Sequence, residues 1–232
     1  MVLSLFAYYL IGLPMYLLFG WFVYRRYHAR QQCSKGFFVG WQLLALLLTM
    51  MFSVTGAAGI DNIAYQVQNG GSLIQSFGTN VIPFYHADFM GMLLNTILFI
   101  PFGILLPILW RPCSKRIAVQ AGFLLSAAIE FSQLFNGRTT DINDLMTNTL
   151  GTFLGYILYT LLFHRITWFQ AEDSHSKRTM SLSIAWIFII YICVGSPVLT
   201  AWGMVGTESL AGRKPQGNTK FHPGHRRASD IL

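Results

Sequence analysis

The chain has 232 residues, of which 53% are hydrophobic and only 11% are charged. Because a soluble domain of this length carries about 25% charged residues, the composition argues against a soluble domain and predicts a membrane protein. The formal net charge of +7 would favour nucleic-acid binding in a soluble protein. Here the basic residues form short clusters between apolar segments, which is typical of membrane topology signals, so we expect no nucleic-acid partner.

Six apolar segments are long enough, or nearly so, to cross about 30 Å of hydrocarbon as helices. Helices are favoured because every backbone amide at that depth must be satisfied within its own segment. We therefore predict an all-α fold, a polytopic transmembrane helical bundle with five to six membrane-spanning helices. The predicted segments are Val2–Tyr24, Phe37–Gly59, Phe89–Trp110, Ile117–Phe135, Asp144–Phe163 and Ser181–Gly203.

The first segment is too long for a secretory signal peptide, so we expect it to remain as an anchor. Lys and Arg are concentrated after the first, third and fifth segments, whereas residues 60–88 contain neither. By the positive-inside rule, the N-terminus lies outside the cell and these three connections lie in the cytoplasm. The sixth segment is interrupted by Gly195, Ser196 and Pro197, which leaves open whether it crosses the membrane and on which side the basic tail lies.

This pattern divides the chain into four parts. Residues 1–36 form an N-terminal transmembrane helix and a basic cytoplasmic loop, and residues 37–163 form the main membrane domain. Residues 164–203 contain a cytoplasmic loop and the sixth segment. Residues 204–232 form a basic tail rich in polar residues, Pro and Gly, which we expect to be disordered.

Metal and cofactor sites are not predicted. The cysteines Cys33, Cys113 and Cys193 are scattered, without a CxxC motif, so they indicate neither a disulfide framework nor a thiolate metal site. His86 and Asp88 alone are too few to predict a zinc site.

Polar residues interrupt the third, fourth and fifth segments at similar depths. Counted from the predicted outer helix ends, Asn95, Glu130 and Asn148 lie roughly 6–11 Å beneath the outer surface at 1.5 Å per residue. Three helices thus predict one polar cluster near the outer leaflet. The residues that fill the space from this depth up to the interface are Gln133, Arg138, Asp141 and Asp144.

Some of these residues also have a structural interpretation. Asp141 and Asp144 could simply cap the fifth helix, at the N-cap and N3 positions. Glu130 is an ionisable side chain inside a span and is therefore a functional-site candidate, with Arg138 as its expected partner. The alternative is a structural clasp between Glu130 and Arg138.

Proline and glycine residues in the third and fifth segments predict structural roles. Pro101, followed by Phe102 and Gly103, frees a backbone carbonyl and could kink the third helix beside a cavity, or it could be an ordinary membrane-helix proline. Gly151 and Gly155 form a small-xxx-small pair, which mainly serves close helix packing.

Three motifs together resemble the VanZ-like family. They are NVIPF (80–84), N-x5-PFG (95–103) and E-x2-Q-x4-R-x2-D-x2-D-x3-N-x2-G-x3-G (130–155), and the resemblance covers about residues 40–163. It implies a multi-pass protein of the bacterial cell membrane that contributes to resistance to teicoplanin, a glycopeptide antibiotic, but it implies no reaction. The characteristic positions fall on Asn95, Pro101, Phe102, Gly103, Glu130, Gln133, Arg138, Asp141, Asp144, Asn148, Gly151 and Gly155.

A binding function is the first hypothesis, and we favour it. The polar cluster would form a pocket that binds a membrane lipid, a lipid-linked cell-wall precursor or the lipid end of a lipoglycopeptide drug. Arg138 would contact a phosphate or carboxylate group, Glu130 would hold that arginine, and Asn95, Gln133 and Asn148 would supply neutral hydrogen bonds.

An intramembrane enzyme that modifies an envelope lipid or polymer is the alternative. Glu130 with Asp141 or Asp144 could supply general acid/base chemistry, or acidic pairs could hold Mg²⁺ against a substrate phosphate. The sequence contains no clear nucleophile motif, and nothing in it singles out Ser132 or Thr139 as a nucleophile. A transporter is disfavoured, because the polar residues are confined to one half of the predicted membrane.

Overall fold

The computed structural model describes residues 2–28, 33–68, 79–80, 82–84, 88–135, 140–171 and 176–195. Within these residues the chain is a helical bundle, so the predicted all-α class is confirmed. Short π-helical turns, Tyr159–Phe163 and Tyr191–Gly195, continue the last two α-helices. The α-helices are α1 (Val2–His28), α2 (Phe37–Thr55), α3 (Ile60–Gln68), α4 (Phe89–Leu109), α5 (Lys115–Gln133), α6 (Ile142–Leu158) and α7 (Ser176–Ile190).

Three helical segments of the described chain are long and apolar enough to cross a membrane: Phe37–Tyr65, which combines α2 with the first part of α3, Phe89–Leu109 and Ile142–Phe163. A shorter apolar helix covers Arg178–Val194. With α1 and α5, the number of long helices agrees roughly with the predicted five to six spans. The fourth predicted span corresponds to α5, which is less apolar than its neighbours because it carries Lys115, Arg116 and Glu130.

The long connection that follows the second predicted span contains two elements that the sequence did not predict. Gly56, with φ 72°, ends α2 by donating its backbone N–H to the Phe52 carbonyl, and the chain then turns into α3. This helix has nine residues, so it is too short to be recognised in the sequence as a membrane-spanning segment. Farther along, β1 (Thr79–Asn80) pairs in parallel with β2 (Thr140–Asp141).

The backbones of α4 and α6 touch because glycines remove the side chains between them. A Cβ atom on Gly151 would lie 2.2 Å from the Thr96 carbonyl oxygen, and one on Gly155 would lie 2.1 Å from that of Ile100. Gly103 makes the reciprocal approach from α4 to the backbone of α6. This close contact sets the distance between the two helices that carry most of the polar cluster.

The connections after α1, α4 and α6 meet at one end of the bundle. Ser34 donates its backbone N–H to the Gln170 carbonyl over 2.9 Å, and Ala171 donates its own to the Leu109 carbonyl over 2.8 Å. The backbone N–H of Arg111 donates to the Ala171 carbonyl. We call this the basic end, because the sequence places there Arg25, Arg26, Lys35, Arg111, Lys115, Arg116 and Arg165.

The polar cluster lies at the opposite end, which we call the polar end. It contains the C-termini of α2 and α5 and the N-termini of α4 and α6. Between the two ends the core is apolar and is built from large buried side chains such as Trp41, Leu44, Phe99 and Phe102. Of the charged residues in the described chain, Glu130 is the one that is buried.

Candidate functional site

A cavity of about 260 Å³ opens at the polar end between four helices. We call it the polar pocket. Its lining consists of Val54 and Thr55 from α2, Asp88, Gly91, Met92 and Asn95 from the start of α4, Ile129, Glu130 and Gln133 from α5, and Asp141, Asn143, Asp144 and Asn148 from the start of α6.

The start of α6 presents two carboxylates to the polar pocket. Asp141 is the N-cap residue and accepts a hydrogen bond of 2.8 Å from the Asn143 backbone N–H. Asp144 lies in the first turn, where its negative charge complements the helix dipole. The capping positions proposed from the sequence are therefore occupied as proposed, and both residues also line the pocket.

Glu130 joins the end of α5 to the start of α6. Its side chain is 6% exposed, and its Oε2 atom accepts a hydrogen bond of 3.0 Å from the Asp141 backbone N–H. A buried carboxylate is costly unless it is hydrogen-bonded or paired, and this bond offsets part of that cost. Arg138, the partner expected from the sequence, lies outside the described residues.

Three side-chain amides tie the helices around the pocket together. Each donates from its nitrogen to an acceptor on a different helix, so each fixes one helix pair. The bonds run from Asn95 Nδ2 to Asp144 Oδ1 (2.7 Å), from Gln133 Nε2 to the Thr55 carbonyl (2.7 Å) and from Asn148 Nδ2 to Ser126 Oγ (2.9 Å).

Two of these amides leave a buried oxygen without a partner. Gln133 Oε1 and Asn148 Oδ1 accept no hydrogen bond, although the two side chains are only 4% and 1% exposed. The orientation of the Gln133 amide is determined, since only its nitrogen can donate to a carbonyl. An unsatisfied buried polar group costs about 1–3 kcal/mol, so a ligand that donates hydrogen bonds to these oxygens would recover that cost.

The described residues of the NVIPF segment, Asn80 and 82–84, lie beside the start of α6. The Phe84 backbone N–H donates to Asn143 Oδ1 over 2.8 Å. Phe84 has φ 62°, a left-handed conformation that is strained for an aromatic residue. Such strain persists where surrounding contacts enforce it, often beside functional sites. Ile82 and Phe84 are both more than half exposed, so this strained segment presents apolar side chains next to the pocket.

Most of the residues proposed from the sequence meet in one place. Pro101 does not, since it lies on an exposed part of α4 and lines no part of the pocket. Gly103, Gly151 and Gly155 lie at the α4–α6 contact. The proposed binding residues that line the polar pocket are Asn95, Glu130, Gln133, Asp141, Asp144 and Asn148, while Arg138 falls outside the described residues.

Sequence reasoning missed the contribution of α2 and of two residues near the predicted cluster. Thr55 precedes the glycine that ends α2, a position that carries no functional signal by itself. Asn143 lies between two residues that were identified. Asp88 was considered only for zinc, yet it caps α4 by accepting a hydrogen bond from the Met90 backbone N–H.

Two hydroxyl groups near the pocket, those of Ser132 and Thr55, are engaged in structural bonds, whereas the buried Thr140 Oγ1 has no hydrogen-bond partner. Ser132 Oγ donates to the Ile129 carbonyl and accepts from the Ala58 backbone N–H. Thr55 Oγ1 donates to the Met51 carbonyl. Thr139 lies outside the described part of the chain. Within that part, no three His, Cys, Asp or Glu side chains are grouped closely enough to hold a metal ion.

A family model described as VanZ/LLP1 matches residues 6–164. The chain belongs to the VanZ/LLP1 family. The match begins inside α1 and therefore includes the first helix, which the motif resemblance did not reach. Family membership and the apolar helices together identify a membrane protein.

Protein VanZ from Enterococcus faecium is a relative of this VanZ/LLP1 protein. The two are 39% identical over 84 residues, which is 35% of this chain and 52% of the relative. The chain thus spans about half the length of the curated relative it matches. No solved structure matches the chain.

Proposed function

We propose that this VanZ/LLP1 protein binds the headgroup of a membrane lipid or of a lipid-linked cell-wall precursor in the polar pocket, and thereby contributes to teicoplanin resistance. In this proposal it is a multi-pass protein of the bacterial cell membrane, with the N-terminus and the polar end outside. The observation that carries the proposal is the pair of buried, unpartnered amide oxygens of Gln133 and Asn148 in a pocket lined by carboxylates.

The chemistry of the lining supports a ligand that donates hydrogen bonds. Four carboxylate residues line the cavity, and Gln133 and Asn148 of the same lining each bury an unpartnered amide oxygen, against one unpartnered amide nitrogen, that of Asn143. The described lining contains no Lys, Arg or His. Sugar hydroxyls and ammonium groups are the donors that envelope lipids offer. A phosphate group would need a cationic hydrogen-bond donor. The guanidinium group of Arg138, which the sequence places three residues before Asp141, would be that donor.

The size of the pocket supports a small headgroup. A cavity of about 260 Å³ holds about nine waters at about 30 Å³ each, which suits one sugar or one amino-alcohol. A complete lipoglycopeptide is far larger, so this volume favours an envelope component over the drug as the occupant.

Acid/base catalysis on an envelope lipid is the second candidate function, because the pocket brings Glu130 together with Asp141 and Asp144. Glu130→Gln separates the two candidates. Its amide oxygen can still accept from the Asp141 backbone N–H, so the variant removes the charge and keeps the fold. Binding predicts that this variant retains part of the function, whereas catalysis predicts complete loss.

Teicoplanin and vancomycin susceptibility of a sensitive Gram-positive host provides the test. The host would express the wild type, Glu130→Gln, Gln133→Met or the control Asp61→Asn at matched membrane levels. Asp61 is a carboxylate on α3 that does not line the pocket. We expect teicoplanin protection from the wild type and from Asp61→Asn, partial protection from Glu130→Gln, and none from Gln133→Met, which loses both the unpartnered oxygen and the bond to the Thr55 carbonyl.

Two outcomes would contradict the proposal. Full protection by Gln133→Met would show that the polar pocket is not required for teicoplanin protection. No protection by the wild type would show that the protein does not confer teicoplanin resistance. The binding site would then be tested alone, by comparing the lipids that co-purify with the wild type and with Gln133→Met.

A further inference from the structure

A second, larger cavity of about 800 Å³ runs along the outer face of the bundle between α5 and α6. We call it the α5–α6 groove. It shares no lining residue with the polar pocket. Most of its lining is aliphatic or aromatic, with Val119, Phe123, Leu145, Met146 and Phe153 among its walls.

The groove has the length and lining of a site for a lipid chain. On α6 it extends from Ile142 to Phe153, which is about 16 Å at 1.5 Å per residue. Lys115 lies where the groove reaches the basic end of the bundle, and its Nζ atom lies 6.0 Å from the centroid of the Phe153 ring. The groove thus leads from the basic end of the bundle towards the polar end.

Two cations lie where a lipid phosphate would meet the groove. Lys115 and Arg116 are the first two residues of α5, and both are exposed and line the groove. Ser114 at the N-cap makes no side-chain capping hydrogen bond. Cations at a helix N-terminus oppose the helix dipole, so an anion at this point would offset both the dipole and the two positive charges.

We propose that the α5–α6 groove binds one anionic phospholipid, with its phosphate at Lys115 and Arg116 and an acyl chain along α6. The start of α5 lies at the basic end of the bundle, at the depth of the lipid headgroups in the leaflet on that side of the membrane. A second copy of the chain fits this face less well, because copies inserted in the same direction would bring like charges together at their basic ends. This proposal is independent of the polar pocket and of any role in resistance.

Binding of phosphatidylglycerol and phosphatidylcholine to the purified full chain would test it, measured by native mass spectrometry in detergent. We expect the wild type to prefer phosphatidylglycerol. The variant Lys115→Gln/Arg116→Gln should bind it about thirtyfold more weakly, since each basic residue near an anionic lipid contributes about 1 kcal/mol. The matched control Arg25→Gln/Arg26→Gln removes two exposed cations of the same end outside the groove and should bind as the wild type does.

Thr149→Trp tests the apolar part, since it fills the groove and leaves both cations in place. Phosphatidylglycerol binding should fall in this variant while its melting temperature stays that of the wild type. Equal binding of the two lipids by the wild type, or equal losses in the two double variants, would overturn the proposal. Displacement of the lipid by millimolar inorganic phosphate would also overturn it, because it would indicate an anion site without a bound acyl chain.

Discussion

Asn148 shows how one side chain can serve both the fold and the site. It is 1% exposed, its nitrogen donates to Ser126 Oγ, and its oxygen has no partner in the polar pocket. A purely structural asparagine at this depth would be expected to satisfy both ends of its amide. The half-satisfied amide therefore favours a binding role in addition to its bond between α6 and α5.

A double-mutant cycle would measure the structural share of Asn148. We expect Asn148→Ala and Ser126→Ala each to lower the free energy of unfolding in detergent, with a coupling energy of about 0.6 kcal/mol, typical of hydrogen bonds between membrane helices. Ser126→Ala should leave teicoplanin protection close to that of the wild type, and Asn148→Ala should abolish it. Equal loss of protection in both variants would instead point to a structural role alone.

The thiols of Cys33 and Cys113 lie in the connections at the basic end, and burial raises their pKa to about 11 and about 12. Because the raised pKa favours the neutral thiol, only about one Cys113 side chain in ten thousand is a thiolate at pH 8. We expect N-ethylmaleimide to label single-cysteine variants slowly at pH 7–9, with the rate rising about tenfold per pH unit. Labelling at pH 8 as fast as that of a free cysteine would show that the pKa of these thiols is not raised.

At the scale of elements, the contact between α4 and α6 positions the site. Asn95 and Asp144 face each other across this contact, above the glycines that let the two backbones touch. Any separation of the helices would stretch the 2.7 Å bond between these two side chains and widen the polar pocket. The packing glycines and the pocket residues thus act through the same pair of helices.

Substitution of the packing glycines should destabilise the bundle. The new methyl group would lie 2.2 Å from a backbone oxygen of α4 in Gly151→Ala and 2.1 Å from one in Gly155→Ala. Only a shift of the backbone can relieve these clashes. We expect each to lower the free energy of unfolding by about 1–3 kcal/mol, as overpacking does. Leu154→Ala, an exposed position between them, is the control and should change stability far less. Thermal unfolding of the purified protein would compare the three, and equal stabilities would contradict the contact.

At the scale of the whole molecule, charge separates along the bundle. The basic connections after α1, α4 and α6 are bonded to one another at one end, and the carboxylates of the polar pocket lie at the other. The positive-inside rule then predicts that the pocket faces the outside of the cell, where cell-wall precursors are exposed.

Cysteine accessibility on intact cells would test this orientation. In a variant without native cysteines, a membrane-impermeant maleimide should label Pro83→Cys at the polar end and should label Lys35→Cys only after the cells are broken. Both positions are exposed, so the difference reports the side of the membrane. The reverse pattern would place the polar pocket in the cytoplasm and would be incompatible with direct binding of an exposed cell-wall precursor.

The sequence by itself determined the helical class, most of the long helices and the residue types of the candidate site. These follow from local properties: the length of apolar segments, the spacing of charges along one helix and the capping pattern at Asp141 and Asp144. It did not predict α3, because nine residues are too few to stand out from a long polar connection.

Only the tertiary structure decided which residues meet. The bond from Gln133 to the Thr55 carbonyl joins residues 78 positions apart, and no local pattern links them. No local pattern reveals the unpartnered oxygens of Gln133 and Asn148 or the α5–α6 groove either, because these features lie between helices. Sequence patterns report the face that each helix presents, whereas the partner of that face depends on how all the helices pack.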